Sequence, residues 1–178
     1  MVQGKKILGD ERRDLIIKWL SSSEHPLTGG ELAKRTNVSR QVIVQDISIL
    51  KAKKHPIIAT AQGYILVQTQ PTQRVSRIIA CKHSPEETKE ELFTLVDHGV
   101  TVKQVIVEHA IYGEITASLM LTTRHDVESF CEKIKKTQSA LLSELTNGVH
   151  LHVIEAETND QLEKVVQVLD ERGFILKD

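Results

Sequence analysis

The sequence predicts an α+β protein in two parts, and three observations carry that reading. Three short helical patterns ending in a hairpin open the chain. A polar stretch follows, Gln68 to Gln73 (QTQPTQ), which has no hydrophobic period and carries Pro71, the composition of a linker. Beyond it, strand-like and helix-like apolar periods succeed one another as β-α-β-β-α-β-α, the pattern of helices laid on an antiparallel-rich sheet. The predicted boundaries are 1–67, a linker at 68–73, and 74–178.

In the first part, Leu15, Ile16, Trp19 and Leu20 form one stripe on a helix running from about Asp10 to Leu20. Thr28 and Glu31 have the spacing of a capping box, which opens a short helix from Gly30 to Thr36. Asn37 and Val38 make a tight turn. Ser39 is a good N-cap for a third helix reaching about Lys53. His55–Leu66 then alternates apolar residues around Gln62 and Gly63, as a short hairpin does.

Two short helices across a tight turn make a helix-turn-helix, and the hairpin makes a wing. Ile43, Ile47 and Leu50 fall at i, i+4 and i+7 and pack inward. Ser39, Arg40, Gln41, Val44, Gln45 and Ser48 then point outward. Arg40 suits guanine, Gln41 or Gln45 suits adenine, and Val44 suits a thymine methyl. Lys51, Lys53 and Lys54 suit phosphates, which give affinity without sequence information.

Charge agrees with this division. Residues 1–70 hold 11 Lys+Arg and 6 Asp+Glu, a net +5, whereas the whole chain has 23 and 24, which leaves −6 for residues 71–178. The basic part is the one to meet a polyanion. The two cysteines, Cys81 and Cys131, form no C-x-x-C, which argues against a disulfide framework or a thiolate zinc ribbon. No stretch approaches the ~18 apolar residues of a membrane span. The charged N-terminus lacks the apolar core of a signal peptide, so the expected location is the cytoplasm.

In the second part, Arg74–Lys82 reads as a strand. Ser84 and Glu87 form another capping box, with Pro85 at the first helical position of a helix that runs to His98 and stops at Gly99. Val100–Glu108 and Gly113–Leu121 read as strands. Thr123 caps a helix from Arg124 to Thr137. Val149–Ile154 is a strand, Asn159–Arg172 an amphipathic helix, and Phe174–Lys177 a short closing strand.

Histidines mark this part. His150 and His152 lie two apart on one strand, so they share a face, ~7 Å apart at the backbone. His83 ends the first strand, and Glu91 borders the buried stripe of the following helix. If the first and fourth strands of this part are neighbours, His83, Glu91, His150 and His152 form one shell. Three imidazoles with one carboxylate suit zinc, nickel, cobalt, iron or copper rather than magnesium or calcium. The alternative is a pair of solvated or hydrogen-bonded histidines on a strand edge. His109 lies at a strand end before a turn, where it lines a ligand pocket or bonds the turn backbone.

The stretch ELAKRTNVSRQVIVQDISILKAK with its GYIL wing end resembles the winged helices of the biotin-repressor type. Together with CKHSPEETKEEL, VEHAIYGEI and HLHVIEA in that order, the chain over about 8–178 resembles the niacin-responsive transcriptional repressors of Gram-positive bacteria, whose second part is a three-histidine domain. The resemblance implies repression of genes for NAD synthesis and niacin uptake, with nicotinic acid as co-repressor, and a homodimer on palindromic double-stranded operator DNA. It implies a phosphocarrier-like sandwich and a bound transition metal, nickel or zinc foremost. That family's metal pattern, a histidine, a glutamate eight residues later and a later H-x-H, falls on His83, Glu91, His150 and His152. The expected ligand contacts are His109, Tyr112 and Arg124. One departure is Ala110, where the family has proline. The rival readings are a regulator that senses the metal itself, a metal-dependent enzyme, and a phosphocarrier using His83.

Overall fold

The computed structural model describes residues 7–67 and 74–177; the expected linker at 68–73 lies outside the described residues. The chain divides into two compact units, 1–70 and 71–178.

In the first unit, α1 (Gly9–Ser22), α2 (Gly29–Thr36) and α3 (Arg40–Ala52) precede a hairpin of β1 (Ile57–Ala59) and β2 (Tyr64–Leu66). Ile16, Leu20, Leu32, Ile43, Ile47 and Leu50 form its core with Leu27 and Ile57. The turn between α2 and α3 is made at Asn37, whose left-handed backbone (φ 51°) ends one helix before Ser39 caps the next. Thr28 and Glu31 form the capping box at the start of α2. Leu27 pairs with Tyr64 through two backbone bonds of 3.0 and 2.8 Å, which ties the wing to the loop before α2.

The second unit is a four-stranded antiparallel sheet of β3 (Val75–Lys82), β4 (Thr101–His109), β5 (Gly113–Leu121) and β6 (Val149–Ala156), in the order β3-β6-β4-β5. One face carries α4 (Thr88–Asp97), α5 (Arg124–Thr137) and α6 (Asn159–Glu171). Leu92, Leu95, Leu162, Val165 and Leu169 are buried there against Val102, Leu121, Ile154 and Ala156. The whole is α+β with the β-α-β-β-α-β-α order expected from the periodicities.

Three details differ from the sequence reading. Ser84–Glu87 starts a 3-10 turn, Pro85–Glu87, before α4 proper. A second 3-10 turn at Leu142–Thr146 has no apolar period to announce it. The closing strand at 174–177 is reduced to one bridge, Cys81 with Ile175, flanked by bonds from Lys82 N to Phe174 O and from Leu176 N to Ala80 O. Phe174 itself is turned into the core.

Candidate metal and effector site

Three elements bring four donors together. β3 and β6 are neighbours, with Cys81 opposite His150 and Ile79 opposite His152. Side chains two apart share a face, so both imidazoles point to the helical side, where each is 3% exposed. His83 follows the end of β3. The capping box at Ser84 and Glu87 then turns the chain into α4, which lowers Glu91 onto the sheet with no exposed surface. His83 Nε2 lies 2.9 Å from Glu91 Oε2, and His152 Nε2 lies 3.4 Å from the same oxygen. His150 Nε2 lies 3.6 Å from Oε1.

The other ring nitrogens are all held by backbone carbonyls. His83 Nδ1 bonds Ser84 O at 2.8 Å, His150 Nδ1 bonds Gly148 O at 2.9 Å, and His152 Nδ1 bonds Gln104 O at 3.1 Å. A carbonyl only accepts, so each Nδ1 carries its proton and each Nε2 is the atom turned toward Glu91. This is the outer-sphere arrangement that orients metal-ligating histidines. Gly148 permits the approach. Its φ is +86°, and a Cβ there would lie 2.3 Å from His83 O.

Electrostatics make the cluster interdependent. Burial alone would raise Glu91, but the charge of His152 and the three imidazoles around it hold its carboxyl well below the usual range. Burial alone would lower His83 and His152, but the Glu91 carboxylate raises both. Burial, and then the Glu91 charge, push the Cys81 thiol up. One defect remains: Glu91 Oε1 is buried with no hydrogen-bond partner. A buried carboxylate oxygen left bare costs about 1–3 kcal/mol or more. A cation among the Nε2 atoms would supply the missing partner, and the donor set suits a transition metal. On these grounds the residues fit a metal.

The cluster closes one end of a cavity of about 130 Å³ whose remaining wall is mainly apolar: Leu92, Val105, Leu119, Phe130 and Ile134. Thr88 Oγ1 lines it too, buried and without a hydrogen-bond partner. The size suits one small ring; an apolar protein cavity of ~150 Å³ holds benzene.

His109, Tyr112 and Arg124, expected as ligand contacts, are not brought to this cavity. His109 Nδ1 accepts from the backbone N–H groups of Ile111 and Tyr112, so it shapes the β4–β5 turn. Tyr112 is 76% exposed at that turn. Arg124 is bound by both carboxylate oxygens of Asp97 and lies over the Phe93 ring. The reason is distance: His109 lies four residues beyond cavity-lining Val105, roughly 13 Å along an extended strand.

On the first unit, Arg40, Gln41, Gln45, Ser48 and Lys51 are exposed along one side of α3, with Val44 half-buried among them. Two hydroxyls are already engaged: Ser39 caps the helix at Val42 N, and Ser48 bonds Val44 O. Sequence reasoning missed what holds this helix in place. Asp46, on its inner side, is 2% exposed and accepts from Arg12 at 2.6 and 3.2 Å and from Arg13 at 3.0 Å.

Residues 12–65 match the model of an HTH domain, and residues 76–178 match that of the 3H domain. The chain belongs to the 3H-domain family. It is 52% identical over 180 residues, covering 100% of both chains, to the transcription repressor NadR of Bacillus subtilis (strain 168). It is 39% identical over 173 residues, covering 97% of this chain and 98% of the other, to the probable transcription repressor NiaR of Thermotoga maritima. Both full-length relatives are named as repressors, not enzymes. The HTH and 3H regions correspond to the helical unit and to the sheet unit that holds the histidine cluster. Among the described residues, no helix is long and apolar enough to cross a membrane.

Proposed function

We propose that this 3H-domain protein is a transcriptional repressor of genes for NAD synthesis and niacin uptake, which binds palindromic operator DNA as a homodimer with nicotinic acid as co-repressor. The observation that carries the sensing part is the cavity itself. It is small and mostly apolar, with three Nε2 atoms and a carboxylate at one end and an unpartnered hydroxyl, Thr88 Oγ1, in its wall. A bound nickel or zinc ion, held by His83, Glu91, His150 and His152, would act there as a Lewis acid toward a pyridine nitrogen or a carboxylate. Thr88 has a hydroxyl proton to give to an acceptor on the ligand. The kinship with named repressors supports the DNA-binding part.

A ligand shifts DNA affinity only through its different affinity for two states of the protein. The test is an anisotropy titration on the promoter of an NAD-synthesis gene at fixed salt, with zinc-loaded and chelated protein, with and without nicotinic acid. Tighter operator binding with nicotinic acid, lost on chelation, is the expected result. Equal binding in all four conditions would end the sensing reading and leave the DNA reader. A response to zinc alone would favour a metal-sensing regulator. The phosphocarrier reading of His83 meets a direct obstacle, because both ring nitrogens are engaged and the side chain is 2% exposed.

A further inference from the structure

We infer that Cys81 is a fifth donor of this site, a thiolate ligand that makes the centre select soft transition metals. The inference rests on the metal reading above and adds a residue to it. Cys81 has no exposed surface and stands directly opposite His150 on the neighbouring strand. Directly opposed side chains have Cβ atoms about 4.5–5.5 Å apart. A Cys81 sulfur, a Glu91 carboxylate oxygen and a His150 ring nitrogen all lie within 4.8 Å of one another, and all three residues are buried. The bare oxygen, Glu91 Oε1, is the one on the His150 side. A cysteine is commonly a small core residue. Here its sulfur shares a close buried group with a carboxylate and an imidazole.

Charge balance supports the assignment. A divalent cation with Glu91 and neutral histidines leaves one net positive charge among residues that are all buried. Buried net charge is costly unless compensated. When the cation binds, the S–H bond breaks, a sulfur–metal bond forms, and the proton leaves to solvent. Cation, carboxylate and thiolate then sum to zero. A sulfur ligand also moves preference away from manganese and magnesium toward zinc and its softer neighbours.

X-ray absorption at the zinc edge of the full zinc-loaded chain tests this, because zinc–sulfur bonds at ~2.3 Å separate from zinc–nitrogen bonds at ~2.0–2.1 Å. One sulfur scatterer is expected in the unaltered protein, retained in Cys131→Ser and lost in Cys81→Ser. Cys81→Ser should also weaken cadmium binding by at least about tenfold, the least that loss of a supporting group costs, with manganese binding little changed. Bound zinc with nitrogen and oxygen neighbours only would overturn the role of Cys81 and leave the four-residue site standing. A protein that takes up no zinc would overturn both. The spectrum of the unaltered protein decides the matter even if Cys81→Ser does not fold.

Discussion

Among the described residues, each unit buries one carboxylate beside its candidate site, and the two are treated differently. Asp46 sits behind the outward face of α3 and receives three hydrogen bonds from Arg12 and Arg13, distributed over both oxygens. Glu91 sits under the sheet and meets three histidines, with Oε1 left bare. Arginine is charged at every accessible pH, whereas histidine changes charge near neutrality. A carboxylate saturated by permanent cations is a fixed tie between α1 and α3. A carboxylate faced by titrating rings, with an oxygen to spare, is suited to a cation.

The largest test of this contrast is Asp46→Ala. It leaves Arg12 buried without its partner, and breaking a buried pair this way costs about 3–5 kcal/mol. Trp19 is the single tryptophan and lies in the first unit. Urea unfolding followed by its fluorescence should therefore show the loss, and added zinc should not repair it. A loss under about 1 kcal/mol would rank the tie with surface pairs and remove the contrast.

Glu91→Gln should remove the gain in stability that metal gives. Zinc at a hundred times its dissociation constant stabilises a binding protein by about 2.7 kcal/mol. The variant should lose most of that gain in calorimetry, read for each protein as the difference between its zinc-loaded and chelated forms. An equal zinc gain in both would make Glu91 a bystander.

The pH response of chelated protein is a smaller effect with a definite sign. Glu91 is lowered on folding, so its contribution is present above the ordinary carboxylate value of 4.5 and fades as pH falls through the lowered one. His83 and His152 are raised, so theirs is complete below the ordinary imidazole value of 6.5 and fades as pH rises through the raised ones. The sheet unit should be best supported by these groups between 4.5 and 6.5. Zinc competes with protons for the same nitrogens, so its stabilisation should grow with pH. Chelated stability that is flat through the histidine range would show that these rings carry no charge. Smallest is Ser39→Ala, which should cost about 1 kcal/mol through the lost cap and shift only the Trp19 transition.

The four-residue cluster was legible because local rules placed it. Period two put His150 and His152 on one face, a capping box put the start of α4 after His83, and the adjacency of first and fourth strands completed it. Asp46 was not legible, since its partners lie 33 and 34 residues away on α1 and no local period links them. In the sequence Cys81 bears only on a disulfide framework or a thiolate ribbon, because no local motif joins it to the histidines. The parity was available, since Cys81 lies two residues before His83. The expected ligand contacts lie away from the cavity, a matter of reach that chemistry alone does not give: His109 and Tyr112 lie at the far end of a hairpin, and Arg124 is already paired with Asp97.

The closeness of Gly148 to the His83 carbonyl has a consequence for inheritance. Every missense change of a glycine codon adds at least one carbon, and at this position that carbon would meet backbone, which cannot swing aside as a side-chain tip does. Mutational drift at position 148 therefore has no small steps. In a library selected for metal uptake, tolerance should fall sharply at this residue, although a glycine has no side chain to offer as a donor. A lineage that lost this glycine would have to rebuild the entrance of β6 to keep these histidines together.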